Sequence, residues 1–188
     1  MSRLDEALIF AVNAHEGAVR KGGKVPYIVH PMETVVITAT MTEEDETLAA
    51  AALHDVVEDT ETTIEEIREH FGDRVAEIVA AKSENKRKGI PQEETWKLRK
   101  SEMIQRLVDS DDLESKKVAL ADKVSNLWSI RLGVLKEGSK FWTRFHQKDP
   151  KEHHWYYRRI AEVLEPELGD FQAWKELDEM IIQVFDEK

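Results

Sequence analysis

The chain has 188 residues, enough for one sizeable hydrophobic core, and a single domain over 1–188 is expected. With 41% hydrophobic and 35% charged residues the composition is that of a globular protein, which argues against disorder. No cysteine is present, which excludes disulfides, thiolate nucleophiles and cysteine-held zinc and fits a reducing, cytoplasmic setting. A net charge of −11 argues against nucleic-acid binding, which draws on a basic surface.

The N-terminal MSRLDEALIFAVNAHEG is charged and amphipathic, so neither a signal peptide nor a membrane span is expected. Leu4, Leu8, Ala11, Val12, His15 and Val19 recur at spacings of three and four, predicting a first helix that stops near Gly22 and Gly23. KGGKVPYIVHP then reads as a structured loop delivering His30 into a helix from Pro31 to about Met41. Arg20, Lys21 and Lys24 form a local basic cluster beside its glycines, able to receive a small anion despite the acidic whole.

Thr42 is placed to cap a third helix whose LAAAAL stretch is apolar on nearly every side, which puts it at the centre of a bundle. Paired threonines before Glu65 and Glu66 predict a capping box and a short helix to about His70, and Asp73 is expected to cap the next, to about Lys82. Ser83 to Glu93 reads as a mobile loop. Its cations Lys82, Lys86, Arg87 and Lys88 are expected either to be solvated or to close over phosphates. Two longer helices follow, roughly 94–109 and 114–131, and the terminal helices are divided near Pro166. No alternating strand and no internal repeat occurs, so the expectation is an all-α bundle of about eight to ten helices.

LHDVVEDT, residues 53–60, carries the chemistry. His54 and Glu58 are four apart, as are Asp55 and Asp59, so on a helix over Ala49–Asp59 each pair shares a face. Several ionisable groups on an apolar helix would cost several kcal/mol each if left uncompensated. A divalent cation supplies the missing charge, and imidazole with carboxylate suits Mn, Fe, Co or Zn. His54 and Asp55 need further ligands, and the chain offers His30 and Asp122, the lone acid in apolar ALADKVSNL. Asn126 lies four residues beyond Asp122 on the same face. His15 reads as a core histidine, and His70, His146, His153 and His154 as surface residues.

In order and spacing, AHEGAVRKGGKVPYIVHP, LHDVVEDT, FGDRVAEIV and KVALADKVSN resemble the HD-domain hydrolases of the RelA/SpoT type, and most nearly the stand-alone small alarmone hydrolases that include metazoan SpoT homologues. The resemblance covers roughly residues 4–131, and WTRFHQKDPKEHHWYYRRIAEVL is similar to the C-terminal helices of bacterial single-domain members. It implies four metal ligands at His30, His54, Asp55 and Asp122, holding Mn²⁺. It also implies an acidic pair acting on the attacking water at Glu58 and Asp59, and phosphate-binding cations at Arg20 and Lys21. Nucleotide contacts fall at Asn126 and Tyr156.

The activity implied is removal of the 3′-pyrophosphate from (p)ppGpp, within the stringent response. A nucleotide phosphatase, an NADPH 2′-phosphatase and a non-catalytic sensor are the alternatives. Where the family commonly has an arginine, this chain has Trp128, read either as core packing or as a surface for stacking a base. A small-molecule nucleotide is the expected partner, and oligomeric state is left open.

Overall fold

The structure, a computed structural model, describes residues 1–185 apart from Gly22, Asn85, Lys86 and Lys88. The expected end of the first helix at Gly22, and the loop lysines Lys86 and Lys88, lie outside the described residues. These contain ten α-helices, one 3-10 helix and, in place of any strand, a single isolated bridge between Val19 and Pro26. None of the helices is long and apolar enough to cross a membrane.

Two compact units divide the chain, residues 1–83 with 112–125 and residues 84–111 with 126–188. The first holds α1 (Arg3–Ala14), α2 (Val29–Thr38), α3 (Asp45–Leu53), α4 (Val56–Asp59), α5 (Ile64–Phe71) and α6 (Asp73–Lys82). The second holds α7 (Gln92–Asp109), a 3-10 helix (Gly138–Arg144), α9 (Pro150–Leu168) and α10 (Gln172–Phe185). Helix α8 (Leu113–Glu137) contributes its first half to one unit and the remainder to the other.

In the first unit α3 is the hub, packed against α1, α2 and α6. Ala49, Ala50, Ala51, Ala52 and Leu53 are completely buried, which is why an unbroken alanine run is tolerated: small side chains on every face let neighbouring helices approach from all sides. The core continues through Ala7, Ala11, Val56, Ile67, Val75, Ile78, Val79 and Val118. Thr63 and Glu66 form the expected capping box, each side chain meeting the other's backbone N–H.

Several boundaries differ from the sequence expectation for identifiable reasons. Helix α1 ends at Ala14, with His15 as C-cap, because Gly17 takes a left-handed backbone (φ 75°) that ends the run. Val19 lies beyond the helix and is exposed, as is Val12 within it. Thr42 is not the cap of α3. Glu44 takes that position, and Thr42 Oγ1 accepts from its N–H. Gly72 (φ 88°), not Asp73, sits at the N-cap of α6, and Asp73 is its first residue. Helix α9 runs past Pro166 to Leu168, since a proline in the last turn removes one ladder bond without ending the helix.

In the second unit α9 packs on α7 and α10. His153, expected at the surface, is buried there, with its Nε2 2.8 Å from the Gln147 carbonyl and its ring among Trp96, Trp142 and Phe145.

Asp112 ties the first unit's two segments together. Its carboxylate takes two parallel 2.8 Å hydrogen bonds from the Arg74 guanidinium and also accepts from the N–H groups of Glu114 and Ser115 at the start of α8. Arg74, then Ser115, hold its pKa well below the usual carboxylate range against the opposing effect of burial. A depressed folded-state pKa contributes stability that is present above about pH 4 and lost as the pH falls. Asp112→Ala is therefore expected to lower unfolding free energy by about 1–2 kcal/mol at pH 7. In urea titrations the gap from wild type should narrow as pH is lowered from 6 to 3; a constant gap would contradict this role.

Candidate functional site

The sequence predicts one helix through LHDVVEDT, but the structure breaks it. Helix α3 stops at Leu53, α4 starts at Val56, and His54 and Asp55 lie between, with Asp55 at φ −101°, ψ −7°. That bridge-region conformation re-aims the pair while α4 restores the helical register. The Asp59 N–H donates to the Asp55 carbonyl at 2.9 Å, so the expected shared face of Asp55 and Asp59 survives the break.

His30 from the start of α2, His54 and Asp55 from the break, and Asp122 from the apolar run of α8 converge. The His30 Nε2 is 3.2 Å from the Asp122 Oδ1 and 3.4 Å from the Asp55 Oδ2. The His54 Nε2 lies 3.2 Å from the Asp55 Oδ2 and 3.7 Å from the Asp122 Oδ1, and the two Nε2 atoms are 3.2 Å apart. Ligands at about 2.1 Å around one ion are separated by about 3.0 Å along an octahedral edge and 3.4 Å along a tetrahedral one. The observed spacings are of that size.

Hydrogen bonds on the far side of each ring fix what the facing nitrogens are. The His54 Nδ1 sits 2.8 Å from the Ala51 carbonyl, which can only accept, so Nδ1 carries the proton. The His30 Nδ1 is 2.8 Å from the Ser125 Oγ, whose own proton goes to Glu33 at 2.7 Å, so this Nδ1 donates too. Both Nε2 atoms therefore present lone pairs to each other, an arrangement that is repulsive unless a cation or proton lies between them. The outward partners of metal-bound histidines have this form. Asp122 is held similarly: its Oδ2 is taken by Lys82 and, at 2.6 Å, by Lys123, leaving Oδ1 to the cluster.

The electrostatics also call for positive charge. Burial works against the Asp122 carboxylate, but Lys123 and Lys82, then His30 and His54, hold it well below the usual range. Burial also opposes the charge of Asp55, yet the histidines facing it, His54 foremost, hold it well below the usual range. At His54 burial pushes the imidazole down, and Asp55, followed by Asp122, outweighs it and pushes it up to about 9. A proton there and a divalent cation would satisfy the same carboxylates, so the donor set fits such an ion.

The other expected residues fall as follows. Glu58 is half-buried and Asp59 exposed on α4, and the Tyr27 hydroxyl reaches both Asp55 (2.7 Å) and Asp59 (2.8 Å). Arg20 stands 5.6 Å over the Tyr27 ring, and Lys21 is exposed on the same loop. Asn126 and Tyr156 belong to the second unit, where Tyr156 is buried against Trp96 and lies under Lys100.

Some expectations are corrected. Lys82 is not a loop cation; it is buried on Asp122, while Arg87 pairs with Glu102. Trp128 is 45% exposed, which removes the core-packing alternative. His15 is buried as expected, but its Nε2 has no hydrogen-bond partner, and burial lowers its pKa. Tyr27, Glu33, Ser125 and Lys123 were not singled out from the sequence. Ser125, three residues past Asp122 on the same helical face, carried a readable signal.

An all-α build with two imidazoles and two carboxylates converging at one buried point defines a helical protein suited to a divalent cation. The chain belongs to the HD domain family, whose profile it matches over residues 7–149, and divalent-metal binding goes with that membership. It is 38% identical over 131 residues to the bifunctional (p)ppGpp synthase/hydrolase SpoT of Escherichia coli K12, covering 69% of this chain and 18% of that protein. The chain thus spans under a fifth of that relative's length. Among solved structures it superposes on a metazoan orthologue of SpoT, reported to hydrolyse ppGpp and to act in starvation responses. The TM-score there is 0.78 at 25% identity, over 97% of this chain and 96% of the other. A Listeria monocytogenes EGD-e protein gives a TM-score of 0.73 at 30% identity, over 89% and 100%.

Binding of an ion to the folded state alone adds stability by mass action, about 2.7 kcal/mol at a hundred times the dissociation constant. Saturating Mn²⁺ is therefore expected to raise the melting temperature of the wild type and to leave that of Asp122→Ala unmoved. A full rise in the variant would contradict the ligand assignment.

Proposed function

We propose that this chain hydrolyses the 3′-pyrophosphate of (p)ppGpp, releasing pyrophosphate and GDP or GTP, with Mn²⁺ held by His30, His54, Asp55 and Asp122. The observation that carries the reading is a two-imidazole, two-carboxylate cluster with a further acidic pair one helical turn on. It occurs in an HD domain whose relatives are named for this activity. Two imidazoles and two carboxylates are a donor set that Mn²⁺ accepts. When bound, such a cation polarises a phosphoryl oxygen and makes the attacking water more acidic.

The side chains supply the remaining steps. Water oxygen bonds to the phosphorus attached to the ribose 3′ oxygen, the bond between that phosphorus and O3′ breaks, and O3′ leaves with the bonding pair and takes a proton from solvent to become the hydroxyl. Glu58 or Asp59 takes the proton that the water gives up, a contribution of about 10²–10⁴ in rate. Arg20 and Lys21 hold phosphate charge, the first through its planar fork and the second as a point charge. The nucleotide-binding roles of Asn126 and Tyr156 rest on the family resemblance alone. We place the enzyme in the cytoplasm, where a chain without cysteine loses nothing to a reducing environment.

The test is incubation with Mn²⁺ and, in parallel, ppGpp, dGTP or NADPH, with products identified by mass spectrometry. Intact pyrophosphate from ppGpp is expected; orthophosphate from NADPH alone would overturn the reading. Glu58→Ala is expected to retain Mn²⁺ and to lose about 10²-fold or more in kcat.

A further inference from the structure

Tyr27 lies in the connection between α1 and α2, three residues before His30, and its position is set from several directions. Its N–H donates to the Ala18 carbonyl at 2.9 Å, its carbonyl accepts from the His30 N–H at 3.0 Å, and the adjacent Pro26 bridges to Val19. The ring is flanked by His15, 4.8 Å away between centroids, and by the Arg20 guanidinium, and it meets the His30 ring edge-on at 6.1 Å. A side chain fixed at both backbone and ring presents its hydroxyl at one place.

That place lies between two carboxylates with different expected duties. The hydroxyl is 2.7 Å from the Asp55 Oδ2, the same oxygen that faces both histidine Nε2 atoms, and 2.8 Å from the Asp59 Oδ2. We propose that Tyr27 is a positioning residue for the reaction assigned above: its hydroxyl aims the Asp55 oxygen at the cation site and holds Asp59 within reach of the attacking water. The proposal rests on that functional reading and adds a residue to it.

Asp59 is exposed at the end of α4. Anchoring it to a hydroxyl that also contacts a cluster oxygen ties its place to that of the cluster. A hydroxyl has one proton, so it donates to one carboxylate at a time. With Asp55 as acceptor, the oxygen of Tyr27 remains free to accept a hydrogen bond from Asp59 once that side chain holds the proton from water. The two bonds then run in series from Asp59 through Tyr27 to Asp55.

Tyr27→Phe removes the hydroxyl and keeps the ring contacts. Outer partners of metal ligands typically contribute 10–100-fold in affinity or activity, so Mn²⁺ affinity by calorimetry should fall about 10-fold. At saturating Mn²⁺, kcat for ppGpp should fall about 10–100-fold with KM within about twofold, while the metal-free melting temperature stays close to wild type. In an Asp59→Ala background the same substitution should reduce kcat by less than about threefold, because the group it positions is gone. Unchanged Mn²⁺ affinity together with unchanged kcat overturns the proposal, as does a full further loss of kcat in the Asp59→Ala background. Should the wild type leave ppGpp intact, the functional reading fails and the calorimetric comparison alone decides the role of Tyr27 at Asp55.

Discussion

Two imidazole lone pairs held 3.2 Å apart between buried carboxylates are the constraint around which the first unit is organised. Left alone, such a cluster opposes folding: the rings repel, and each uncompensated buried charge costs several kcal/mol. The chain nevertheless enforces it with neutral, well-placed partners. The Ala51 carbonyl and the serine between Glu33 and His30 choose the tautomers, and neither can relax without leaving a buried polar group unmatched. The alanine helix α3 brings His54 into the middle of the bundle, and the break after Leu53 turns Asp55 toward the same point. A positive ion makes all of these choices consistent at once.

Charge around the point is graded by position. Lys82 and Lys123 neutralise the far oxygen of Asp122, so this carboxylate can be deeply buried yet offer a single oxygen inward. On the opposite side the acids become progressively more exposed, from Asp55 through half-buried Glu58 to exposed Asp59. The imidazole–carboxylate cluster thus lies in the dry interior and the further acids where water can enter, with the Tyr27 hydroxyl touching both. The loop that carries Tyr27 also carries Arg20 and Lys21, which place positive charge on an otherwise acidic protein.

What could be read in the sequence follows from which signals are local. An alanine run that is apolar on every side announced a central helix, and Thr63 with Glu66 announced a capping box, because both patterns state their requirement within a few residues. The four clustered side chains were legible because acids and imidazoles are otherwise unwelcome in apolar helices. The break at His54 and Asp55 was not legible, since nothing there opposes helix locally; the requirement is tertiary. Lys82 misled for a similar reason: a lysine at a helix end before a polar loop reads as solvated, and only Asp122, forty residues away, explains its burial. His153 was misread from polar sequence neighbours, whereas its real neighbours are the aromatic rings of α7 and the 3-10 segment.

The facing imidazoles and their carboxylates call for a cation between them. Crystals soaked in Mn²⁺ and measured at the manganese absorption edge test this directly through the anomalous difference map. One strong peak in the first unit is expected, within coordinating distance of the Nε2 atoms of His30 and His54, the Asp55 Oδ2 and the Asp122 Oδ1. A map with no peak there, or with the ion bound only by surface carboxylates, would contradict it.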